Sequence, residues 1–243
     1  MIKLFRVIAL ASLTLALLLP GSALAQEAAA NSGPGMSRHI VQLVIGLTVL
    51  SLAPGILMTI TSFTRIVVAL SLLRTGIGAP GVPPNPVIIS LALFLSFFVM
   101  QPTFEKAWDA GVAPYADGQI DERQAMERAS VPLRDFMMGQ VRAEDLQLFV
   151  DLSNKPPPER AKMPMSVLIP AFMISELRRA FEIGFLLLLP FLVIDLAVSA
   201  VLMAMGMMML PPTSIALPMK IIFFVLVDGW SLVAGSLVKS FSG

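Results

Sequence analysis

Residues 181–212 read FEIGFLLLLPFLVIDLAVSAVLMAMGMMMLPP. Glu182 and Asp195 are the only charged side chains in the stretch, and it is longer than the roughly 20 apolar residues that cross a hydrocarbon core about 30 Å thick. It therefore reads as a membrane-class helix that carries one buried acid, with Pro190 as an expected break. Its end is unusual. Five methionines, Met203, Met205, Met207, Met208 and Met209, fall within seven positions just before Pro211-Pro212. At about 100° per residue they point in widely separated directions, so they do not form the single stripe of an amphipathic core helix.

The whole chain has the same character. Of its 243 residues 56% are hydrophobic and 14% charged, against roughly 25% charged in a soluble domain, and the mean hydropathy is +0.84. Seventeen basic against sixteen acidic residues leave a net charge of +1, which gives no electrostatic reason to expect nucleic acid as a partner. There is no cysteine and a single histidine, His39, so disulfides, thiolate metal sites and Ser-His catalysis have almost nothing to draw on. GIGAPG is not a phosphate loop, and neither a G-x-S-x-G elbow nor a zinc spacing occurs. No catalytic residue, cofactor or metal is expected, and the chain reads as a non-enzyme.

Working outward from the quoted stretch, five regions emerge. Residues 1–25 have the form of a signal peptide: Lys3 and Arg6, an apolar run from Val7 to Leu19, then Ala23-Leu24-Ala25 for cleavage. An uncleaved first membrane helix is the competing reading, although the run is short for a span. Residues 26–39 make a flexible tail. Residues 40–102 form a first hydrophobic hairpin, its first block interrupted at Pro54-Gly55 and its turn marked by TGIGAPGVPPNP. Residues 103–162 are polar and helical; DERQAMERA opens with Asp121 as N-cap, and the segment closes at Pro156-Pro157-Pro158. Residues 163–243 form a second hairpin, from Phe181 to Met209 and from Ile215 to Val238, joined by the uncharged GMMMLPPT. The fold class expected is all-α and membrane-associated: two broken hydrophobic hairpins with an inserted polar helical domain.

Ionisable groups within apolar blocks are functional candidates by default. Here they are Arg65, Asp195, Lys220 and Asp228. Asp195 and Asp228 could relay protons or ions in a coupled transporter, an acid could pair with Arg65 or Lys220, or the charges could be satisfied across subunits. Glu176, Arg178, Arg179 and Glu182 cluster where the polar domain meets the third block, as a solvated helix start or an intersubunit belt. Phe136 and Phe149 are either core of the middle domain or anchors of an oligomer interface.

Long motifs carry a further inference. TSFTRIVVALSLLRTGIG, PPNPVIISLALFLSFFVMQP, IPAFMISELRRAFEIGFLLLLPFLVIDLAVSAVLMAMGMMMLPP and LPMKIIFFVLVDGWSLVAGSLVKSF closely resemble the FliP/SctR family of type III secretion export-gate proteins. The likeness runs from about residue 40 to 243, with Asn85-Pro86 standing where Asn-Gln is expected. The resemblance implies a pentamer in a helical ring with FliR and FliQ subunits, alongside FlhB and FlhA, in the inner membrane of a flagellar basal body with the middle domain periplasmic. It also implies unfolded flagellar proteins as cargo. The family's methionine gasket maps onto Met207, Met208 and Met209, with Gly206, Pro211 and Pro212 shaping the loop. Glu176, Arg178, Arg179, Phe136 and Phe149 become intersubunit contact candidates.

Overall fold

Local sequence sets where each helix begins and ends. In a computed structural model the described residues are 58–153, 163–207 and 209–242, with scattered positions between 43 and 55. The expected signal peptide, the tail and the break at Pro54 lie outside them. The chain divides into two units, residues 1–54 and 55–243; the second contains every element below.

Helix α1, Phe63–Ile77, buries Phe63, Ile66, Leu70, Leu73 and Ile77, a spacing of three and four that keeps one seam facing inward. It stops at Gly78, whose φ of 77° is left-handed and whose N–H bonds back to the Arg74 carbonyl, the usual way a glycine ends a helix. Helix α2, Asn85–Ala107, starts after Pro84 with Pro86 in its first turn, where the missing N–H costs nothing. It runs on through a π-turn, Trp108–Val112, into the short α3, Ala113–Ala116. The boundary expected at 102/103 thus falls inside a continuous helical stretch.

Helix α4, Glu122–Gln140, begins as its sequence predicts. Asp121 is the N-cap and its carboxylate accepts the Gln124 backbone N–H at 2.7 Å. Replacing Asp121 with Ala should cost about 1 kcal/mol in a chemical unfolding titration of the purified protein. Helix α5, Ala143–Leu152, follows after a two-residue link.

Helix α6, Met165–Ala204, is the spine of this unit. Its forty residues span roughly 60 Å at 1.5 Å per residue, about twice the hydrocarbon thickness. The break expected at Pro190 does not occur: α6 is one helix through both Pro170 and Pro190. A proline removes one backbone donor and crowds the preceding turn, and a helix packed along its length can absorb that loss. The second hairpin bends elsewhere. Helix α7, Pro212–Leu226, and α8, Gly229–Lys239, meet at 66° around Asp228, whose φ of 50° is left-handed.

Two buried clusters lie along α6. One joins Met137, Val141, Leu146 and Val150 of the α4–α5 region to Val167, Leu168, Ala171 and Phe172; the other joins α1 to Ile88, Ala92, Phe191, Phe224, Val233 and Leu237. The polar helices therefore sit on the first turns of α6, and the apolar hairpin on the rest. Close approach of α1 to α6 depends on glycine. A Cβ on Gly184 would lie 2.3 Å from Leu72 Cδ1, and one on Gly76 would lie 2.6 Å from Leu188 Cδ2. Among the described residues there is no strand, and two helical stretches, Asn85–Ala116 and Met165–Ala204, are long and apolar enough to cross a membrane, three if α7 and α8 count as one bent span.

Candidate functional site

The methionine-rich turn is built by its own sequence. Gly206, with φ 73°, closes α6: its N–H bonds to the Met203 carbonyl, and the Met207 N–H reaches back to Leu202, both at 3.0 Å. This crossed pair is the Schellman arrangement that glycine permits at a helix end. A tight turn follows, the Leu210 N–H bonding to the Met207 carbonyl at 3.2 Å. Pro211 is then extended and Pro212 occupies the first position of α7, where proline is pre-shaped for a helix start. The loop holds its methionines in unequal settings. Met207 is 38% exposed and Met209 99%; Met208 lies outside the described residues.

Charge is absent from Leu196 to Met219. The residues that flank this stretch neutralise each other: Lys220 Nζ donates to Asp195 Oδ2 at 2.6 Å and to the Gly76 carbonyl at 3.1 Å. That one ammonium ties α7 to α6 and to the C-terminal end of α1, where the helix dipole favours a cation. Asp195 and Asp228 are not brought together. Asp228 is exposed at the α7–α8 break, and Asp195 is engaged by Lys220.

Arg65 is fully buried and spends all five donors. Its Nε and one Nη2 hydrogen form a fork on the equally buried Glu176, Nη2 also donates to Gln140 Oε1 at 2.9 Å, and Nη1 donates to the Ser240 carbonyl and hydroxyl at 2.8 and 3.1 Å. The Phe241 ring covers the guanidinium at 3.7 Å. Planar geometry suits arginine to this bidentate, stacked role. Four segments meet at one side chain: α1, the end of α4, α6 and the turn after α8.

The other sequence candidates gather around this hub. Arg179 donates to Gln140 Oε1 at 2.9 Å, Arg178 lies 3.5 Å from Asp145, and Glu182 lies 3.6 Å from Arg142. Glu176, Arg178, Arg179 and Glu182 sit within α6 and not at its start, and Glu176 is buried rather than solvated. Phe136 packs edge-on to Phe172 and stacks on Phe241 at 6.4 Å, while Phe149 is half-buried against the α4–α6 cluster. Sequence reasoning did not single out Gln140, Asp145, Ser175, Ser240 or Phe241. Ser175 bonds Asp145 at 2.8 Å and takes the Arg142 backbone N–H at 3.1 Å, which pins the start of α5 to α6. An amide closing an amphipathic helix, as Gln140 does, was the one local sign available.

Fold and site together define an all-helical, membrane-associated protein with a buried ionic hub and an uncharged methionine loop. Comparison with known proteins narrows the class. The FliP family model matches residues 46–237. The flagellar biosynthetic protein FliP of Caulobacter vibrioides is 60% identical over 92% of this chain and 86% of its own length. Those of Bacillus subtilis and Aquifex aeolicus are each 48% identical, over 87% and 86% of this chain and 96% and 89% of theirs. The chain belongs to the FliP family of flagellar biosynthetic proteins.

Proposed function

We propose that the chain is a membrane subunit of the flagellar export gate: a pentamer, joined by FliR and FliQ subunits, through which unfolded flagellar proteins leave the cytoplasm. Met207, Met208 and Met209 form the gasket of the closed channel. The observation that carries this reading is the near-total exposure of Met209 at the tip of an uncharged loop held by Gly206 and Pro211-Pro212. An exposed thioether side chain has little hydrogen-bonding capacity and three rotatable bonds, so copies meeting on an axis exclude water and ions yet deform around a passing polypeptide. Broad apolar faces support assembly in an apolar setting: Phe94 and Phe98 of α2, Leu186 and Leu196 of α6, and Val225 and Leu226 of α7 are all exposed in the single chain. Inner-membrane placement with α4 and α5 on the periplasmic side fits the expected signal peptide. Arg178 and Phe149 retain accessible surface for contact with a second subunit.

Replacing Met207, Met208 and Met209 with Ala should leave the oligomer intact by native mass spectrometry and raise its ion conductance several-fold in planar bilayers. A well-assembled variant with unchanged conductance would refute the gasket. No observation favours an ion-coupled transporter, because Asp195 is taken by Lys220 and Asp228 belongs to a backbone bend.

A further inference from the structure

Beside the methionine loop lies an open groove of about 530 Å³ with no polar lining. Its walls are Ala197 and Val201 on α6 and Ile215 and Met219 on α7, with Met205 and Met207 at the loop side. Three features bear on what enters it. The lining offers water no hydrogen-bond partner, so an apolar side chain laid into the groove removes apolar surface from water at no polar cost. Met207 already lies at this groove, 38% exposed, while Met209, two residues on, is 99% exposed. Between α6 and these methionines stands Gly206 at φ 73°; a glycine reaches other backbone conformations more readily than a residue with a side chain, so the loop can change direction there once its two closing hydrogen bonds, to Met203 and Leu202, give way.

We infer that this groove is a retraction pocket: when a polypeptide passes, the loop turns about Gly206 and the Met209 side chain leaves the axis for the space between α6 and α7. The inference rests on the gasket reading and adds where the seal goes when it opens. Sealing and yielding make opposite demands, since a methionine displaced from a ring of its neighbours must find another apolar surface or meet water. The pocket supplies that surface, lined by Met219 and Met205, whose own flexible side chains re-pack around a newcomer. Closed and open states then differ by an exchange of apolar contacts and not by a net loss of them.

Filling the pocket tests this in cells that carry the complete export apparatus. Ala197→Phe occupies the groove and leaves the loop sequence unchanged. Its resting ion leak should equal wild type while secretion of flagellar subunits falls at least tenfold; Ala197→Phe with Met219→Ala, which returns volume, should restore much of the secretion and controls for misfolding. Normal secretion in a folded Ala197→Phe protein overturns the inference. Because the chain has no cysteine, Met209→Cys with Met219→Cys gives a second measure. Oxidative cross-linking within one chain should rise when a substrate fused to a stably folded domain jams the channel, and equal cross-linking with and without the jam overturns the inference. The two levels fail differently. If the gasket reading is wrong, alanine at Met207 to Met209 does not leak; if only the pocket is wrong, the alanine variant leaks and Ala197→Phe secretes normally.

Discussion

Replacing Arg65 with Ala should destabilise the protein by about 3–5 kcal/mol, the cost of leaving one member of a buried ion pair without its partner. Glu176 would keep its place in α6, at 0% exposure, with no cation to accept from. Gln140 and the Ser240 carbonyl would lose a donor as well. The measurement is a chemical unfolding titration in detergent with steady-state protein level as a second readout. Arg65→Lys should recover only part of the loss, because an ammonium keeps the charge but cannot fork on the carboxylate, bond Gln140 and Ser240 together, and lie flat under Phe241. The double variant Arg65→Met with Glu176→Leu should be markedly more stable than the sum of its two single changes, since removing both charges together avoids the unpaired one. Additive losses would show that the two residues do not act as a pair.

A buried pair of this kind adds little net stability, because desolvation offsets most of its attraction. What it does supply is a condition on geometry. Only one arrangement of α1, α4, α6 and the turn after α8 satisfies the five guanidinium donors at once, and slippage of any of the four leaves a buried polar group bare. The α4–α5 helices and the apolar hairpin have separate hydrophobic clusters, and hydrophobic contact is tolerant of sliding. Arg65 is where that tolerance ends.

How much of this was legible in the sequence depended on distance along the chain. The cap at Asp121 and the chain reversal after Thr75 could be read locally, because each is decided by residues within a few positions. Gly206 and Pro211-Pro212 likewise marked the loop, but not the helix ends: the apolar blocks read as running to Met209 and from Ile215, because methionine continues a hydrophobic run, whereas α6 ends at Ala204 and α7 begins at Pro212. The partner of Arg65 could not be read that way. Glu176 is 111 residues away, and nothing in the spacing of either ranks it above the other acids of the chain. Its grouping with Arg178 and Arg179 suggested a solvated helix start or an intersubunit belt, yet a helix divides neighbours by face, and Glu176 turns inward while Arg178 stays half-exposed. Pro190 misled for a related reason. A proline's local penalty is fixed, but whether it ends a helix depends on the packing along the rest of α6, which no local window contains.

A second contact that should resist change sets the backbone of one turn against that of a neighbouring helix. Gly111 is buried in the π-turn between α2 and α3, and a Cβ there would lie 2.5 Å from the Ala125 carbonyl oxygen, 2.8 Å from Ala129 Cβ and 2.9 Å from the Ala129 nitrogen. None of these atoms can swing aside, unlike the Leu72 side chain that faces Gly184. Gly111→Ala therefore forces α4 away from the turn, and overpacking of this kind costs about 1–3 kcal/mol or more, a fall in Tm of roughly 2–12 °C for a chain of this size. Gly139 provides the opposite case within α4: it is exposed, helical and has nothing within 4 Å of its missing Cβ. Gly139→Ala should hold or raise stability, by up to about 1 kcal/mol, since alanine loses less backbone freedom in a helix. The same substitution at two glycines 28 positions apart thus carries opposite signs. Thermal unfolding of both variants decides it: equal Tm values would mean that α4 does not lie on the π-turn, and the docking of the polar helices would then rest on the Arg65 hub and the α6 cluster alone.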